Sequence, residues 1–187
     1  MSSPLYQLLA RLHWSDRERE IASLLRAHWP DLTGHSRILD VGCGPGWLAR
    51  TATSLGMAYL GVDPSPPDGD SRFRRGTARD VAGSIGPDDI VVLNGVAHHL
   101  DDAEFKDATL ACMAAKGLII CDHARDHATS TLSRLMQRLD RGRHVRDLDR
   151  LLDTHGMRCL ETRRFPIRLG GIAVWDYVAT AFKPEQK

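Results

Sequence analysis

The chain has 187 residues, 42% hydrophobic and 26% charged, which suits a single globular domain with one substantial core. Lysine and arginine number 25 against 24 acidic residues, so no overall attraction to nucleic acid or to a membrane is expected. The four cysteines lack the spacing of a zinc site, and no leader or membrane-length apolar stretch is present, so we predict free thiols, no metal and a cytoplasmic protein.

The first 33 residues predict an N-terminal helical segment. Apolar residues recur at helical spacing between positions 4 and 29, which indicates two helices, or one helix with a bend near Trp14. Ser15 or Asp16 is the expected cap of the second helix. We expect the apolar stripe of this segment to pack on the core.

Residues 37–46 read Arg-Ile-Leu-Asp-Val-Gly-Cys-Gly-Pro-Gly and predict a buried strand that breaks into a glycine loop. The three glycines remove side chains where backbone must approach a ligand closely. Trp47 stands where a dinucleotide fingerprint requires its third glycine, and no Gly-Lys-Ser/Thr follows, which argues against NAD and against a P-loop.

A second strand follows the glycine loop. A helix is predicted over residues 47–55 and a strand over 58–62, which ends at Asp63. A carboxylate accepts hydrogen bonds only, so Asp63 suits two hydroxyl donors of a ribose, although an Asp-Pro turn is the simpler alternative. The unit predicts an adenosine-binding crevice in an open α/β sheet.

Asp40 to Gly46 resembles the first motif of class I S-adenosylmethionine-dependent methyltransferases of the small-molecule type, and Gly61 to Ser65 resembles the second. The resemblance covers residues 35 to 125 well and the remainder loosely. It implies a Rossmann-like three-layer αβα sandwich, with a seven-stranded, mostly parallel sheet whose last strand is antiparallel. It also implies S-adenosyl-L-methionine as the cofactor, and N-terminal helices that contribute to a lid.

The resemblance carries cofactor contacts over to this chain residue by residue. Two roles stay open for Asp40: it faces the ammonium group of the cofactor, or it holds the backbone of its own loop. Thr77 stands where the family commonly has an aspartate for adenine, and Asp80 is either its substitute or a helix start. The implied cofactor residues are Asp40, Gly42, Cys43, Gly44, Gly46, Asp63, Pro64, Thr77, Ala78, Asn94 and Gly95.

Strands are further predicted over residues 73–77 and 89–93, and the stretch after the latter contains two adjacent histidines. Ligands bind outside the carboxyl ends of such strands, so Asn94 to His98 should border cofactor and acceptor. Imidazole titrates near neutral pH, which makes His98 a candidate general base and acceptor-binding residue, whereas His99 is expected to secure the loop. A two-histidine metal site is not expected, because no carboxylate partner is identifiable.

The second half of the chain is predicted to supply the acceptor side. A helix over 101–115 and a strand over 117–122 lead into residues 122–147, a basic stretch that resembles the substrate-contact segment of the family. Two further candidate bases lie there, His123 and His144. Arg143 either binds an anionic acceptor or lies on a solvated face, and the solvated face is preferred for the other arginines.

In the last part of the chain, the sequence predicts a helix over 147–155 and strands over 157–165 and 172–182. The two strands resemble the antiparallel pair with which the sheet of the methyltransferases ends. Dinucleotide-binding domains lack this pair, so it is a second argument against NAD. We therefore predict one domain over residues 1–187 that transfers a methyl group to an oxygen, nitrogen or carbon of a small molecule. It is expected to be a monomer or homodimer that serves small-molecule or secondary metabolism. The alternatives are non-methyl chemistry on the same fold, such as cyclisation or dehydration, and a non-catalytic partner subunit.

Overall fold

A computed structural model describes residues 14–32, 34–124, 146, 156–169 and 171–185. The first predicted helix, the predicted helix over 147–155, and the candidate residues Arg143 and His144 lie outside the described residues. Among the helices within these ranges, none is long and apolar enough to cross a membrane.

Seven strands form one sheet in the order β3-β2-β1-β4-β5-β7-β6. The first five run parallel, and β7 lies antiparallel between β5 and β6. This arrangement confirms the predicted fold class. The strands are β1 (Arg37–Val41), β2 (Ala58–Asp63), β3 (Phe73–Arg75), β4 (Asp89–Asn94), β5 (Gly117–His123), β6 (Met157–Leu169) and β7 (Ile172–Pro184).

Helices cover both faces of the sheet. They are α1 (Trp14–His28), α2 (Leu48–Ser54), α3 (Ala78–Val81) and α4 (Asp102–Ala111), with 3-10 turns at Ala82–Ser84, Ala97–His99 and Cys112–Ala114. Successive side chains of a strand point to opposite faces, so Ile38 of β1 packs with α1 and α2, and Leu39 packs with α4. Two apolar layers therefore enclose the sheet, which explains its uninterrupted apolar strand sequences.

Helix α1 is part of the core and is also tied to the hairpin of β6 and β7. Its residues Ile21 and Leu24 are fully buried, and His28 lies 2.8 Å from Glu161 of β6. Ser15 and Asp16 lie inside this helix, so the prediction that one of them caps it was wrong. Asp16 lies in the first turn and accepts a hydrogen bond from the backbone N–H of Arg168 at 3.2 Å.

The strand register brings the carboxyl ends of three strands to one edge. Val41, the last residue of β1, lies level with Val62 of β2 and with Leu93 of β4. The chain order reverses between β1 and β4, and a crevice at that reversal is where open α/β sheets bind ligands.

Candidate cofactor and acceptor site

The glycine loop after β1 needs its glycines for two different reasons. Gly42, Gly44 and Gly46 all have positive φ, at 76°, 49° and 81°. A Cβ at Gly42 would lie 2.7 Å from the side chain of Val96, and one at Gly46 would lie 2.2 Å from the ring of Phe73. A Cβ at Gly44 would meet no atom of the described residues within 4 Å. The outer glycines permit close packing, and the middle one opens toward the cavity.

Asp63 ends β2 directly beside this loop. Its Oδ2 accepts a hydrogen bond from the backbone N–H of Gly44 at 2.9 Å, and its Oδ1 accepts one from the N–H of Ser65 at 2.8 Å. Each carboxylate oxygen has a second lone pair, so the side chain can still accept hydroxyl donors. The two backbone amides fix where those acceptors point.

A cavity of about 930 Å³ opens at the ends of these strands. Its volume falls within the range of roughly 300 to 1,000 Å³ typical of small-molecule sites. It gathers eight of the predicted cofactor residues: Gly42, Gly44, Asp63, Pro64, Thr77, Ala78, Asn94 and Gly95. Asp40, Cys43, Gly46, His98 and His123 do not line it and lie in or behind its wall.

Asp40 lies behind the glycine loop and is 1% exposed. Tyr59 donates its hydroxyl hydrogen to Oδ2 at 2.8 Å, and Oδ1 has no hydrogen-bond partner within the described parts of the chain. Burial raises the pKa of Asp40 to about 7; the charge of Asp63 adds to the rise, while the Tyr59 hydrogen bond and the charge of Arg17 oppose it. Burial likewise raises the pKa of the neighbouring Cys43 thiol, so it stays protonated.

Asn94, the last residue of β4, brings a buried amide to the cavity. It is 2% exposed, and neither Oδ1 nor Nδ2 has a hydrogen-bond partner among the residues described. A buried polar group without a partner is costly, by roughly 1 to 3 kcal/mol. This amide fits a ligand that brings both donors and acceptors, as the amino acid portion of S-adenosylmethionine does.

Arg17 of α1 lines the same cavity, and the sequence interpretation missed it. The side chain is buried; its Nη1 lies 3.4 Å from the hydroxyl oxygen of Tyr177 and close to the backbone of Gly95. In the sequence Arg17 stands within Asp-Arg-Glu-Arg-Glu, the pattern of a solvated helix face. Nothing there distinguishes it, because only the packing of α1 on the sheet brings it to the cavity.

Thr77 and Asp80 occupy the start of α3. The backbone N–H and the hydroxyl of Thr77 both donate to Oδ2 of Asp80, at 2.7 and 2.8 Å. These bonds lower the pKa of Asp80. Of the two alternatives for Asp80, the helix start is the one the structure shows. Thr77 still borders the cavity, with its hydroxyl oxygen available as an acceptor.

The two adjacent histidines point in different directions from their 3-10 turn. His98 is 1% exposed, with Nδ1 2.5 Å from Oδ1 of Asp122. Asp122 also accepts from the backbone N–H of His98, at 2.9 Å, and of His123, at 2.7 Å. His99 is exposed and borders the cavity, with its ring centroid 4.0 Å from that of His98.

Asp122 is the carboxylate partner that the sequence did not reveal. Burial alone raises its pKa, but His98 and His123 with their hydrogen bonds outweigh that effect and lower the pKa to about 2. Asp122 is therefore ionised at neutral pH. Its Oδ1 lies at hydrogen-bonding distance from Nδ1 of His98, so these two atoms share a hydrogen. Ligand atoms of His98, Asp122 and His123 lie within 4.8 Å of one another, which is close enough to hold a metal ion.

Arg146 returns to this region from the far part of the chain. The preference for a solvated face was wrong for this residue, because its side chain is only 9% exposed. It donates hydrogen bonds to the backbone oxygens of Ala97 and Leu100, on either side of the two histidines. The histidine turn is thus held from β5 and from Arg146.

Comparison with known proteins agrees with this geometry. The profile of a methyltransferase domain family matches residues 13–162, which is most of the chain. The ubiquinone biosynthesis O-methyltransferase of Rhizobium etli is 32% identical over 100 residues, which cover 45% of this chain and 39% of that protein. The chain thus aligns with about two fifths of the length of the curated relatives it matches.

Two solved structures show the same fold. A SAM-dependent methyltransferase from Archaeoglobus fulgidus superimposes with a TM-score of 0.69 and 18% identity, covering 97% of this chain and all of that one. Magnesium protoporphyrin IX methyltransferase from Synechocystis PCC 6803, with bound S-adenosylhomocysteine, gives a TM-score of 0.67 and 17% identity, covering 99% and 90%.

The chain belongs to the methyltransferase domain family, in agreement with the sequence prediction. The amide of Asn94 and the acceptors of Asp63 border the cavity and fit S-adenosylmethionine, the cofactor that the resemblance implies.

Proposed function

We propose that this protein transfers the methyl group of S-adenosylmethionine to an oxygen, nitrogen or carbon of a small molecule. The observation that carries the proposal is Asp63, whose carboxylate is fixed by the Gly44 amide at the rim of the cavity. A small-molecule acceptor is supported by the near-neutral charge balance and by relatives named for ubiquinone biosynthesis and for magnesium protoporphyrin IX.

Each part of the cofactor has a counterpart in the cavity wall. Asp63 accepts hydrogen bonds from the ribose hydroxyls, and Thr77 with Ala78 borders the adenine. At the other end, the guanidinium of Arg17 binds the carboxylate of the amino acid portion, Asn94 faces its ammonium group, and Asp40 attracts that ammonium group from behind the glycine loop. A bidentate guanidinium pair and a carboxylate partner both give charge-assisted hydrogen bonds, which are about twice as strong as neutral ones.

The acceptor enters between the histidine turn and the cofactor. The cofactor supplies an activated methyl group, and close in-line alignment of the nucleophile provides most of the rate acceleration. His99 presents its imidazole to this space and takes a proton where the nucleophile must lose one. His98 and His123 support the turn from behind. Arg143 remains a proposed acceptor contact, and His144 remains a proposed base.

Cofactor binding is the first test. Calorimetry with S-adenosylhomocysteine should show binding to the unaltered protein. Asp63→Ala should weaken it by about 1 to 3 kcal/mol, as expected for lost charge-assisted hydrogen bonds. Asp68→Ala removes an equal charge from the neighbouring exposed loop and should change the affinity little. Equal affinity of Asp63→Ala and the unaltered protein would contradict the assigned role.

Product analysis then separates methyl transfer from the alternatives. The protein is incubated with S-adenosylmethionine and a panel of phenols, carboxylic acids and amines, and products are weighed by mass spectrometry. A product heavier by one methyl group, together with S-adenosylhomocysteine, supports the proposal. Cofactor binding with a product altered by cyclisation or loss of water points to non-methyl chemistry, and absence of cofactor binding points to a partner subunit.

A further inference from the structure

We propose that Arg146 is a positioning residue that locks the histidine turn on the acceptor side of the cavity. The turn comprises the 3-10 segment Ala97–His99 together with Leu100, and it carries the imidazole of His99 toward the cavity. The inference rests on the proposed function only in naming this side of the cavity the acceptor side.

The guanidinium binds the turn at both of its ends. Nη1 donates to the backbone oxygen of Ala97 at 2.6 Å, and Nη2 donates to the backbone oxygen of Leu100 at 2.7 Å. The backbone oxygen of Ala97 already accepts the N–H of Leu100 within the turn, at 3.3 Å, so Nη1 adds a second, charge-assisted bond to it. The backbone oxygen of Leu100, at the end of the turn, accepts from Nη2, and a buried carbonyl without a partner is costly. One planar group with several donors thus binds both carbonyls at once.

Two further contacts fix the guanidinium itself. Nη2 also donates to Oδ1 of Asp102 at 2.9 Å, and Cζ lies 4.6 Å from the centre of the Phe105 ring. Asp102 and Phe105 both belong to α4, which follows the turn. Arg146 therefore joins the turn to the first turns of α4 by hydrogen bonds and a cation–π contact.

The opposite side of the turn is held independently by β5. Asp122 accepts from both the backbone N–H and the ring of His98. This anchor orients His98, and nothing in it reaches the carbonyls of Ala97 and Leu100. The two anchors hold the turn from opposite sides, in the arrangement in which His99 borders the cavity.

Arg146 also connects this turn to the stretch that the sequence predicts to contact the acceptor, residues 122–147. A residue of that stretch therefore holds the histidine that faces the acceptor. The chemistry asks for a fixed imidazole, because a displacement of about 1 Å at a reacting group lowers a rate by around a hundredfold.

The test is amide hydrogen exchange and imidazole NMR on the full chain. The amides of His99 and Leu100 donate within the turn, to Val96 and Ala97, and so report whether it is formed. Arg146→Gln should speed exchange at these amides by about tenfold or more, the change expected for a lost charged hydrogen bond. It should also shift the imidazole signals of His98 and His99.

Controls separate positioning from general stability. Exchange at Ile119 and Ile120, in the centre of β5, should stay slow in Arg146→Gln. Affinity for S-adenosylhomocysteine should change by less than about threefold, because Asp63 and the glycine loop are not in contact with Arg146. Arg158→Gln, which removes an exposed arginine, should leave the turn unchanged.

Arg146→Lys gives the graded comparison. Its single ammonium cannot span the two carbonyls and the carboxylate as a planar fork does, so exchange at Leu100 should be intermediate. If Arg146→Gln does not fold, the lysine variant decides by the same criterion. Exchange and imidazole signals equal to those of Arg158→Gln would overturn the proposal. That result would leave the cofactor assignment standing, since calorimetry on the unaltered protein tests it separately.

Discussion

In the proposed function, the buried side chain of Asp40 couples cofactor binding to pH. Its carboxyl lies behind the glycine loop, where burial raises the pKa to about 7. A protonated Asp40 is neutral and gives the ammonium group of the cofactor no ionic partner, whereas the ionised form attracts it. The proton is therefore lost on binding, and affinity depends on the pH range around this pKa.

We expect the affinity for S-adenosylhomocysteine to rise by about tenfold between about pH 6 and about pH 8, because the free protein ionises Asp40 over this interval. Calorimetry across that range measures the slope. Asp40→Asn keeps the shape and loses the ionisation, so its affinity should vary much less. A slope retained by Asp40→Asn would assign the pH dependence to another group.

Stability of the protein without cofactor should move in the opposite direction. The folded pKa of Asp40, about 7, lies above the ordinary value of 3.8, so its contribution to stability is full below pH 3.8 and is lost as pH rises to about 7. Thermal unfolding measured from about pH 4 to about pH 8, which covers this window, checks the prediction. This loss of stability should be absent in Asp40→Asn. The other carboxyl groups are the same in both proteins, so their contribution cancels in the comparison.

The directions of individual side chains are what the sequence fails to predict. His98 and His99 are adjacent, and the sequence favoured His98 for chemistry, whereas the structure turns His98 toward Asp122 and His99 toward the cavity. Arg17 was missed, and a solvated face was preferred for Arg146. In all three cases the direction of the side chain depends on contacts with residues far away in the sequence, and no local pattern encodes them.

Elements were predicted far better, because strand periodicity and glycine chemistry are local. The strand predicted over 89–93 spans Asp89–Asn94, and the helix predicted over 47–55 spans Leu48–Ser54. The helix predicted over 101–115 is α-helical only from Asp102 to Ala111 and then tightens to a 3-10 turn. Ends shift by a residue or a turn since caps and tertiary contacts decide them.

The glycine loop gives a prediction at this scale. Gly46→Ala should destabilise the protein by roughly 2 to 4 kcal/mol, from left-handed backbone strain and from overlap with Phe73. Gly56→Ala has a similar φ, 68° against 81°, and nothing within 4 Å of the new Cβ. It should cost only the strain, about 1 kcal/mol.

Urea unfolding of both variants isolates the packing component, because the strain is common to them. Phe73 packs edge-on against Tyr59, with ring centroids 5.6 Å apart, so its ring cannot move away without disturbing that contact. Equal destabilisation of the two variants would show that the ring of Phe73 moves aside without a cost in free energy. The close approach at Gly46 would then have no role in holding β3 beside the loop.

At the scale of the whole molecule, the position of α1 decides whether the chain behaves as one unit. The helix packs its buried face on the sheet in the same apolar cluster as Trp175 of β7 and Ile119 of β5. It also supplies Arg17 to the cavity. A helix that serves both core and cavity cannot leave the sheet without exposing apolar surface and removing Arg17 from the cavity.

Leu24→Ala tests this against the alternative that α1 is a lid which docks only over bound cofactor. Leu24 is fully buried, so truncation should reduce the free energy of unfolding without cofactor by about 2 to 5 kcal/mol in a single urea transition. Leu110→Ala, at a position 44% exposed on α4, is the control and should change it by less than about 1 kcal/mol. A separately docking lid predicts instead that Leu24→Ala leaves the urea midpoint of the cofactor-free protein unchanged and lowers only the affinity for S-adenosylhomocysteine.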